Sequence, residues 1–246
     1  MHQAYRIDRV YDENYRTKTF VLDGDLEAAP GQFAMVWLPG VDEKPFSIAA
    51  ARPLTLTIVA VGAFTHAVHE LGPGDRLWIR GPLGQGFQLP RSPAQAQHLL
   101  LVGGGYGAVP LRFLAERARQ AGYAVTACLG ARTARDVLLV DAFRELGASV
   151  IVTTEDGSLG TRGLVTQVVE QLVKDRRPAG IYGCGPLAML DALAALSRAH
   201  RLPYQLSMEA MMRCGLGLCG ACELEGRGPE GWLTCRDGPV LLGDDF

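Results

Sequence analysis

The sequence predicts a multi-domain protein that combines a small closed β-barrel, a doubly wound parallel α/β domain and a short cysteine-bearing C-terminal lobe. Three observations predict it. Residues 1–92 carry short apolar or alternating runs separated by turn residues. From His98 strands alternate with stretches of helical period, and four of the six cysteines fall between residues 214 and 235. At 246 residues the chain has room for two modest domains and an appendage.

In the first block the runs cover residues 5–10, 17–22, 32–38, 54–61 and 76–79. Asp23-Gly24-Asp25, Pro30-Gly31, Pro39-Gly40, Gly72-Pro73-Gly74-Asp75 and Gly81-Pro82 separate them, and short strands at this spacing close into barrels. A helical patch over 65–71 interrupts the series. It carries His66 and His69; with no third ligand nearby they read as helix histidines rather than a metal pair. In Lys44-Pro45-Phe46-Ser47-Ile48, Pro45 forces extended backbone beside a cation and a hydroxyl. That combination suits a pyrophosphate, and a solvated lysine before an edge strand fits the same residues.

The second block reads β-α-β-α. Strands are expected at 99–102, 124–129, 150–154 and 180–182, with helices at 108–120, 137–146, 164–173 and 187–199. Alternation at this spacing gives a parallel sheet with ligands at the carboxyl ends of its strands. The run Gly103-Gly104-Gly105-Tyr106-Gly107 follows the first strand and lets backbone approach a phosphate, although it lacks the G-x-G-x-x-G register. Thr154-Glu155-Asp156-Gly157-Ser158 and Gly183-Cys184-Gly185-Pro186-Leu187-Ala188-Met189 close two further strands. Cys128 reads as a buried strand thiol. Arg132 and Arg135 follow the second strand, where they suit a 2′-phosphate pocket or simple solvation.

The third block is organised by Cys214, Cys219, Cys222 and Cys235, spaced C-x4-C-x2-C with a remote fourth cysteine, which is the plant-type [2Fe–2S] ligand pattern. Gly215, Gly217 and Gly220 let amide N–H groups point at sulfur. Structural zinc draws on two separated C-x2-C or C/H pairs, and only one such pair is present; disulfides need an oxidising compartment. So short a lobe cannot build a sizeable core alone, so a bound metal group is expected to supply much of its folding energy.

These residues together resemble the ferredoxin-reductase superfamily. Lys44–Ile48 is similar to its Arg-Pro-Phe/Tyr-Ser-Ile flavin motif, Gly62-Ala63-Phe64-Thr65 to its Gly-x-Gly-Thr, and Gly81-Pro82-Leu83-Gly84-Gln85-Gly86-Phe87 to its Gly-Pro-Leu-Gly-Asn-Gly-Phe loop. The resemblance implies an FAD site at Lys44, Pro45, Phe46, Ser47, Val59, Val61, Gly62, Phe64 and Thr65. Lys44 would face the pyrophosphate, Ser47 the isoalloxazine and Thr65 a phosphate. Lys44 departs from the family's bidentate arginine, and Phe64 from a small glycine. An NAD site is implied at Gly103, Gly104, Gly105, Glu155, Asp156, Gly157, Cys184, Gly185, Pro186 and Met189, with the Cys-Gly-Pro turn against the nicotinamide and Cys184 outside the cluster. NADH rather than NADPH follows from the resemblance alone.

Ser207-Met208-Glu209 ahead of the cysteines and Thr234-Cys235-Arg236-Asp237-Gly238-Pro239-Val240 around the last resemble the electron-transfer subunits of type B dihydroorotate dehydrogenases, over the whole chain. The fold class so expected is multi-domain β + α/β: an N-terminal six-stranded antiparallel β-barrel for FAD (1–95), a doubly wound parallel α/β domain for NAD (96–205) and a [2Fe–2S] lobe (206–246). The resemblance implies electron transfer between NAD+ and an FMN-containing dihydroorotate dehydrogenase catalytic subunit in pyrimidine (UMP) biosynthesis, as a heterotetramer of two of each chain. No group in this chain reads as a base for a dihydroorotate proton. Two other readings compete. One is the NAD(P)H-linked FAD/[2Fe–2S] subunit of a hydrogenase, sulfide dehydrogenase or ferredoxin:NADP oxidoreductase, some of which replace a cluster cysteine with aspartate. The other is a non-catalytic flavin/cluster redox sensor. Net charge −2 and the lack of a DNA-reading motif speak against the sensor, against nucleic acid and against an anionic membrane. No apolar run reaches the ~18–20 residues of a spanning helix. Met1 to Arg6 lack a signal's apolar core, so a reducing cytoplasmic location is expected.

Overall fold

The structure, a computed structural model, describes residues 1–90 and 97–243. By contacts these fall into two compact units.

The first unit comprises Met1–Gly86 and Glu209–Pro239. Strands β1 (Gln3–Asn14), β2 (Thr17–Leu22), β3 (Phe33–Leu38), β4 (Asp42–Ala51), β5 (Leu54–Val59) and β6 (Arg76–Leu83) close an antiparallel barrel in the order β1-β2-β5-β4-β3-β6. Helix α1 (Ala63–His69) follows β5. Strand β4 is absent from the apolar runs of the sequence because its first half is polar; only Ile48–Ala51 are buried. Residues paired across strands share a face, so Val36 opposite Ile79 looks into the barrel and Met35 opposite Arg80 looks out. On the outer face Phe33 and Met35 are nonetheless buried, packed with Cys222 and Cys235 and flanked by Leu83, Ala210, Met212 and Leu233. The cysteine lobe thus completes its core with an apolar patch on the outside of the barrel.

The second unit comprises the described residues of Phe87–Met208 and those from Val240. Its strands are β7 (His98–Gly104), β8 (Ala124–Ala131), β9 (Ser149–Thr154), β10 (Thr161–Arg162), β11 (Gly180–Cys184), β12 (Tyr204–Ser207) and β13 (Val240–Leu242). They form one sheet in the order β10-β9-β8-β7-β11-β12-β13, parallel except for the β12–β13 pair. Helices α2 (Ala108–Gln120), α3 (Val140–Glu145), α4 (Val165–Asp175) and α5 (Leu187–Ala199) connect them. The order reverses between β7 and β11, so the crevice at their carboxyl ends is the switch point at which such sheets bind ligands.

The doubly wound sheet matches expectation, with three additions at its edges: the two-residue β10 beside β9, and β12 and β13 beyond β11. β12 and β13 are too short to register as apolar runs, and β13 returns from the cysteine lobe to pair with β12. The boundary expected at 205/206 falls within β12, and that expected at 95/96 lies outside the described residues.

Candidate functional site

The four cysteines sit in two pairs. The Cys222 and Cys235 sulfurs lie 3.3 Å apart and both residues are buried. Cys214 and the exposed Cys219 form the second pair through a side-chain hydrogen bond. Backbone amides converge on this set: Leu216 and Leu218 N–H donate to Cys214 Sγ at 3.4 Å each, and Gly217 N–H to Cys235 Sγ at 3.1 Å. Gly215, at φ +67°, permits the tight turn, and a Cβ there would stand 3.1 Å from Met35 Cγ. The third and fourth cysteines are tied together by Thr234, whose N–H and hydroxyl both donate to the Cys222 carbonyl.

Electrostatics separate the pairs. The Leu216 amide, with those of Leu218 and Cys219, holds the Cys214 thiol down to about 6 against the effect of burial. Burial and the neighbouring Cys222 push Cys235 up to about 11, opposed by the Gly217 amide. None of the six cysteines is in a disulfide. A single tetrahedral ion at Zn–S ≈ 2.3 Å needs four sulfurs within about 3.8 Å of one another. Among the described residues no group of three or more His, Cys, Asp or Glu side chains is set for one ion. Two thiol pairs, each beside donor amides, fit a two-iron cluster, which takes two thiolates on each iron, better than zinc.

In the barrel, Lys44 forms an ion pair with Asp42 at 2.5 Å, and both are about half exposed. Pro45 lies opposite Met35 and Ser47 opposite Phe33 in the β3–β4 ladder. Phe46 stacks on Phe64, which α1 buries. Val59 ends β5 opposite Thr17, and Val61 is exposed beyond it. The Thr65 hydroxyl is turned into its own helix start: it accepts from the Val61 and Gly62 amides and donates to the Gly62 carbonyl. His66 and His69 each engage a backbone carbonyl, of Gly62 and Ile58 respectively.

In the second unit, the turns after β7 and β11 touch. A Cβ on Gly104 would stand 2.7 Å from Pro186 Cδ and 2.9 Å from Met189 Sδ, and one on Gly107 would overlap the Cys184 carbonyl at 2.1 Å. Gly103, Gly104, Gly105, Cys184, Gly185, Pro186 and Met189 are therefore brought together at the switch point. Glu155, Asp156 and Gly157 stand at the end of β9, two strands away, where Glu155 N–H reaches the Ala131 carbonyl and Asp156 N–H that of Arg132. Hydrogen bonds from Ser158 hold the Asp156 carboxyl below the usual range. Cys128 is fully buried, which pushes its thiol up to about 12.

Sequence reasoning passed over Arg80 and Glu43. Arg80 grips the Glu43 carboxylate in a fork, Nε to Oε1 at 3.2 Å and Nη2 to Oε2 at 3.1 Å, and Nη2 also donates to the Cys214 carbonyl at 3.0 Å. Burial alone would raise the Glu43 carboxyl, but Arg80 and His2 hold it low. The signal available was the alternation of Arg76, Trp78 and Arg80 with the buried Leu77 and Ile79 along β6.

A closed antiparallel barrel, a parallel sheet with a glycine-lined switch point and an appended four-thiol loop define a ferredoxin-reductase-like electron-transfer protein. A family model described as the iron–sulfur cluster binding domain of dihydroorotate dehydrogenase B matches residues 209–246. The chain belongs to the family of dihydroorotate dehydrogenase B electron transfer subunits. It is 38% identical to the probable NAD(+)-type subunit of Methanocaldococcus jannaschii over 97% of this chain and 89% of that one. It is 43% identical to that of Methanopyrus kandleri over 88% and 80%. For Thermococcus kodakarensis the identity is 39% over 99% and 97%. Among solved structures, a chain of an NADH-dependent reduced ferredoxin-NADP oxidoreductase superposes with a TM-score of 0.85 at 28% identity, covering 98% of this chain and 88% of that one. The ferredoxin reductase of carbazole 1,9a-dioxygenase, at 23% identity and a TM-score of 0.69 over 82% and 67%, shares the fold.

Proposed function

We propose that the chain is the electron-transfer subunit that links NAD+ to an FMN-containing dihydroorotate dehydrogenase catalytic subunit in pyrimidine (UMP) biosynthesis, in a cytoplasmic heterotetramer of two of each chain. The observation that carries this reading is the four-thiol loop with its two pairs and convergent amides, in a chain that is family throughout its length. When bound, FAD exchanges two electrons with the nicotinamide and a [2Fe–2S] cluster carries them singly, which is the chemistry these groups supply.

The chain's own residues bind and orient. Cys214 with Cys219, and Cys222 with Cys235, would hold one iron each, and the Leu216, Gly217 and Leu218 amides would offset the charge on sulfur. Lys44 would turn from Asp42 toward a diphosphate, while Pro45, Phe46 and Ser47 present extended backbone. Thr65 would act by fixing the Val61–Gly62 amides, with Val59 and Phe64 supporting them. At the switch point Gly103, Gly104 and Gly105 would admit the dinucleotide's phosphates, and Cys184, Gly185, Pro186 and Met189 would face its nicotinamide. Glu155, Asp156 and Gly157 would border the same ligand. Substrate chemistry belongs to the partner.

The similarity to the NADH-dependent ferredoxin-NADP oxidoreductase chain favours a second reading, in which the same relay serves a ferredoxin-linked enzyme. Anaerobic affinity purification from native cells, with mass spectrometry, separates the two. Recovery of an FMN-binding dihydroorotate dehydrogenase chain at near-equal amount is expected; ferredoxin-linked chains in its place would overturn the pyrimidine assignment. Alone, the chain should reduce artificial dyes with NADH and leave dihydroorotate untouched.

A further inference from the structure

Arg80 reaches from the barrel wall to the backbone of the first cysteine. It does so from β6, opposite Met35, on the outer face that the cysteine lobe covers. Its guanidinium has five N–H donors. Nε and Nη2 are committed to the Glu43 carboxylate, and Nη2 also bonds the Cys214 carbonyl. Nη1 is buried and has no hydrogen-bond partner among the described residues. A buried donor left unpaired is costly, and its burial here needs a partner that the protein atoms do not provide. Covalent geometry keeps Nη1 beside Nη2, hence next to Cys214. The group that belongs at that place, if the cysteines bind a cluster as proposed above, is an anionic iron–sulfur centre, for which an arginine N–H is a strong charge-assisted donor.

We propose that Arg80 is a positioning residue for the cluster: Nη1 donates to the cluster–thiolate assembly at Cys214, and its charge, partly offset by Glu43, sets how readily the cluster accepts an electron. Hydrogen bonds to the sulfurs and local charge are the protein's means of setting such potentials. Glu43 is itself gripped from the other side by His2, Nε2 to Oε1 at 2.7 Å, so the carboxylate is fixed in place and Arg80 cannot swing away without breaking both contacts. Removing the cation should make the cluster harder to reduce. Removing the counter-carboxylate while keeping Arg80 should make it easier.

The test is an EPR-monitored dithionite titration, with iron content, of the full reconstituted chain and of Arg80→Gln, Arg80→Lys and Glu43→Gln. At a fixed potential we expect Arg80→Gln to lower the reduced-to-oxidised ratio at least tenfold, which is 59 mV for one electron. Glu43→Gln should raise it, and Arg80→Lys, which keeps the charge, should fall between Arg80→Gln and the parent. Ratios within twofold of the parent in iron-replete variants, or shifts of the same sign for Arg80→Gln and Glu43→Gln, would overturn the proposal. Should Arg80→Gln lose its iron, an unshifted Glu43→Gln overturns it alone. A parent chain that takes up no iron and gives no signal would instead overturn the cluster reading, and the role of Arg80 with it.

Discussion

Phe46 and Phe64 stack with ring centroids 6.0 Å apart and planes inclined by only 23°. The pair joins the middle of β4 to the first turn of α1, and Phe64 is 5% exposed. The phenylalanine that departs from the family's small glycine is therefore turned inward, holding Lys44-Pro45-Phe46-Ser47 against the helix. Truncating a buried phenylalanine costs about 3–5 kcal/mol. Phe64→Ala should accordingly lower the urea midpoint of the flavin-binding unit and release flavin at lower denaturant. An unchanged midpoint would remove the stack from any account of this site.

Cys222 and Cys235 are buried with Phe33 and Met35, whereas Cys219 is exposed at the loop surface. The lobe has little other apolar core of its own, so binding of a metal group is coupled to its folding. Cys219→Ser should abolish the cluster's visible absorbance and loosen residues 206–246. Limited proteolysis reads this directly: faster cleavage within the lobe is expected, with the parallel sheet resisting as before. Equal protease resistance in the iron-free variant would show that the lobe folds without its metal.

How much of this was legible in the sequence depends on where the signal lay. Cys214, Cys219, Cys222 and Cys235 stand out in the sequence because their spacing alone is a recognisable ligand pattern, and the fold gathers them into two pairs. The helices at Ala108–Gln120 and Leu187–Ala199 were legible to the residue, because their apolar period runs uninterrupted to a break at each end. Strand β4 was not, since Asp42, Glu43 and Lys44 are polar: Asp42 and Lys44 pair with each other along the strand, while Glu43 pairs with Arg80 of β6. Nor was Arg80: one of two arginines in β6, it gives no hint in the sequence that its fork closes on a carboxylate 37 residues away and on a carbonyl 134 residues away. The hydroxyl of Thr65, expected from the resemblance to bind a phosphate, bonds the backbone at its own helix start.

The turns after β7 and β11 approach so closely that Gly107 has no room for a side chain, with the Cys184 carbonyl where its Cβ would fall. Gly107→Ala must push the two turns apart at the switch point. The expected result is a rise of tenfold or more in KM for NADH in dye reduction, roughly 1.4 kcal/mol of lost binding, with flavin and iron content unchanged. Parent-like KM in a folded variant would place the dinucleotide elsewhere.

His98 opens β7 with Nε2 2.8 Å from the Thr126 hydroxyl, while its Nδ1 is buried without a partner among the described residues. Burial, and then the Arg176 cation, hold its pKa below the ordinary 6.5. The unfolded chain therefore binds this proton at a higher pH than the folded chain does, and acid favours unfolding. The stabilisation is complete above the unfolded value and is lost as pH falls through the folded one. The thermal stability of the parent should fall steadily from pH 7 to 5, with a slope of at most about 1.4 kcal/mol per pH unit for one proton. His98→Asn should flatten that slope while lowering stability at pH 7 only modestly. The residual slope would then belong to His69, which burial also holds low despite its bond to the Ile58 carbonyl. Parallel curves for parent and variant would mean that His98 is not the proton that links stability to pH.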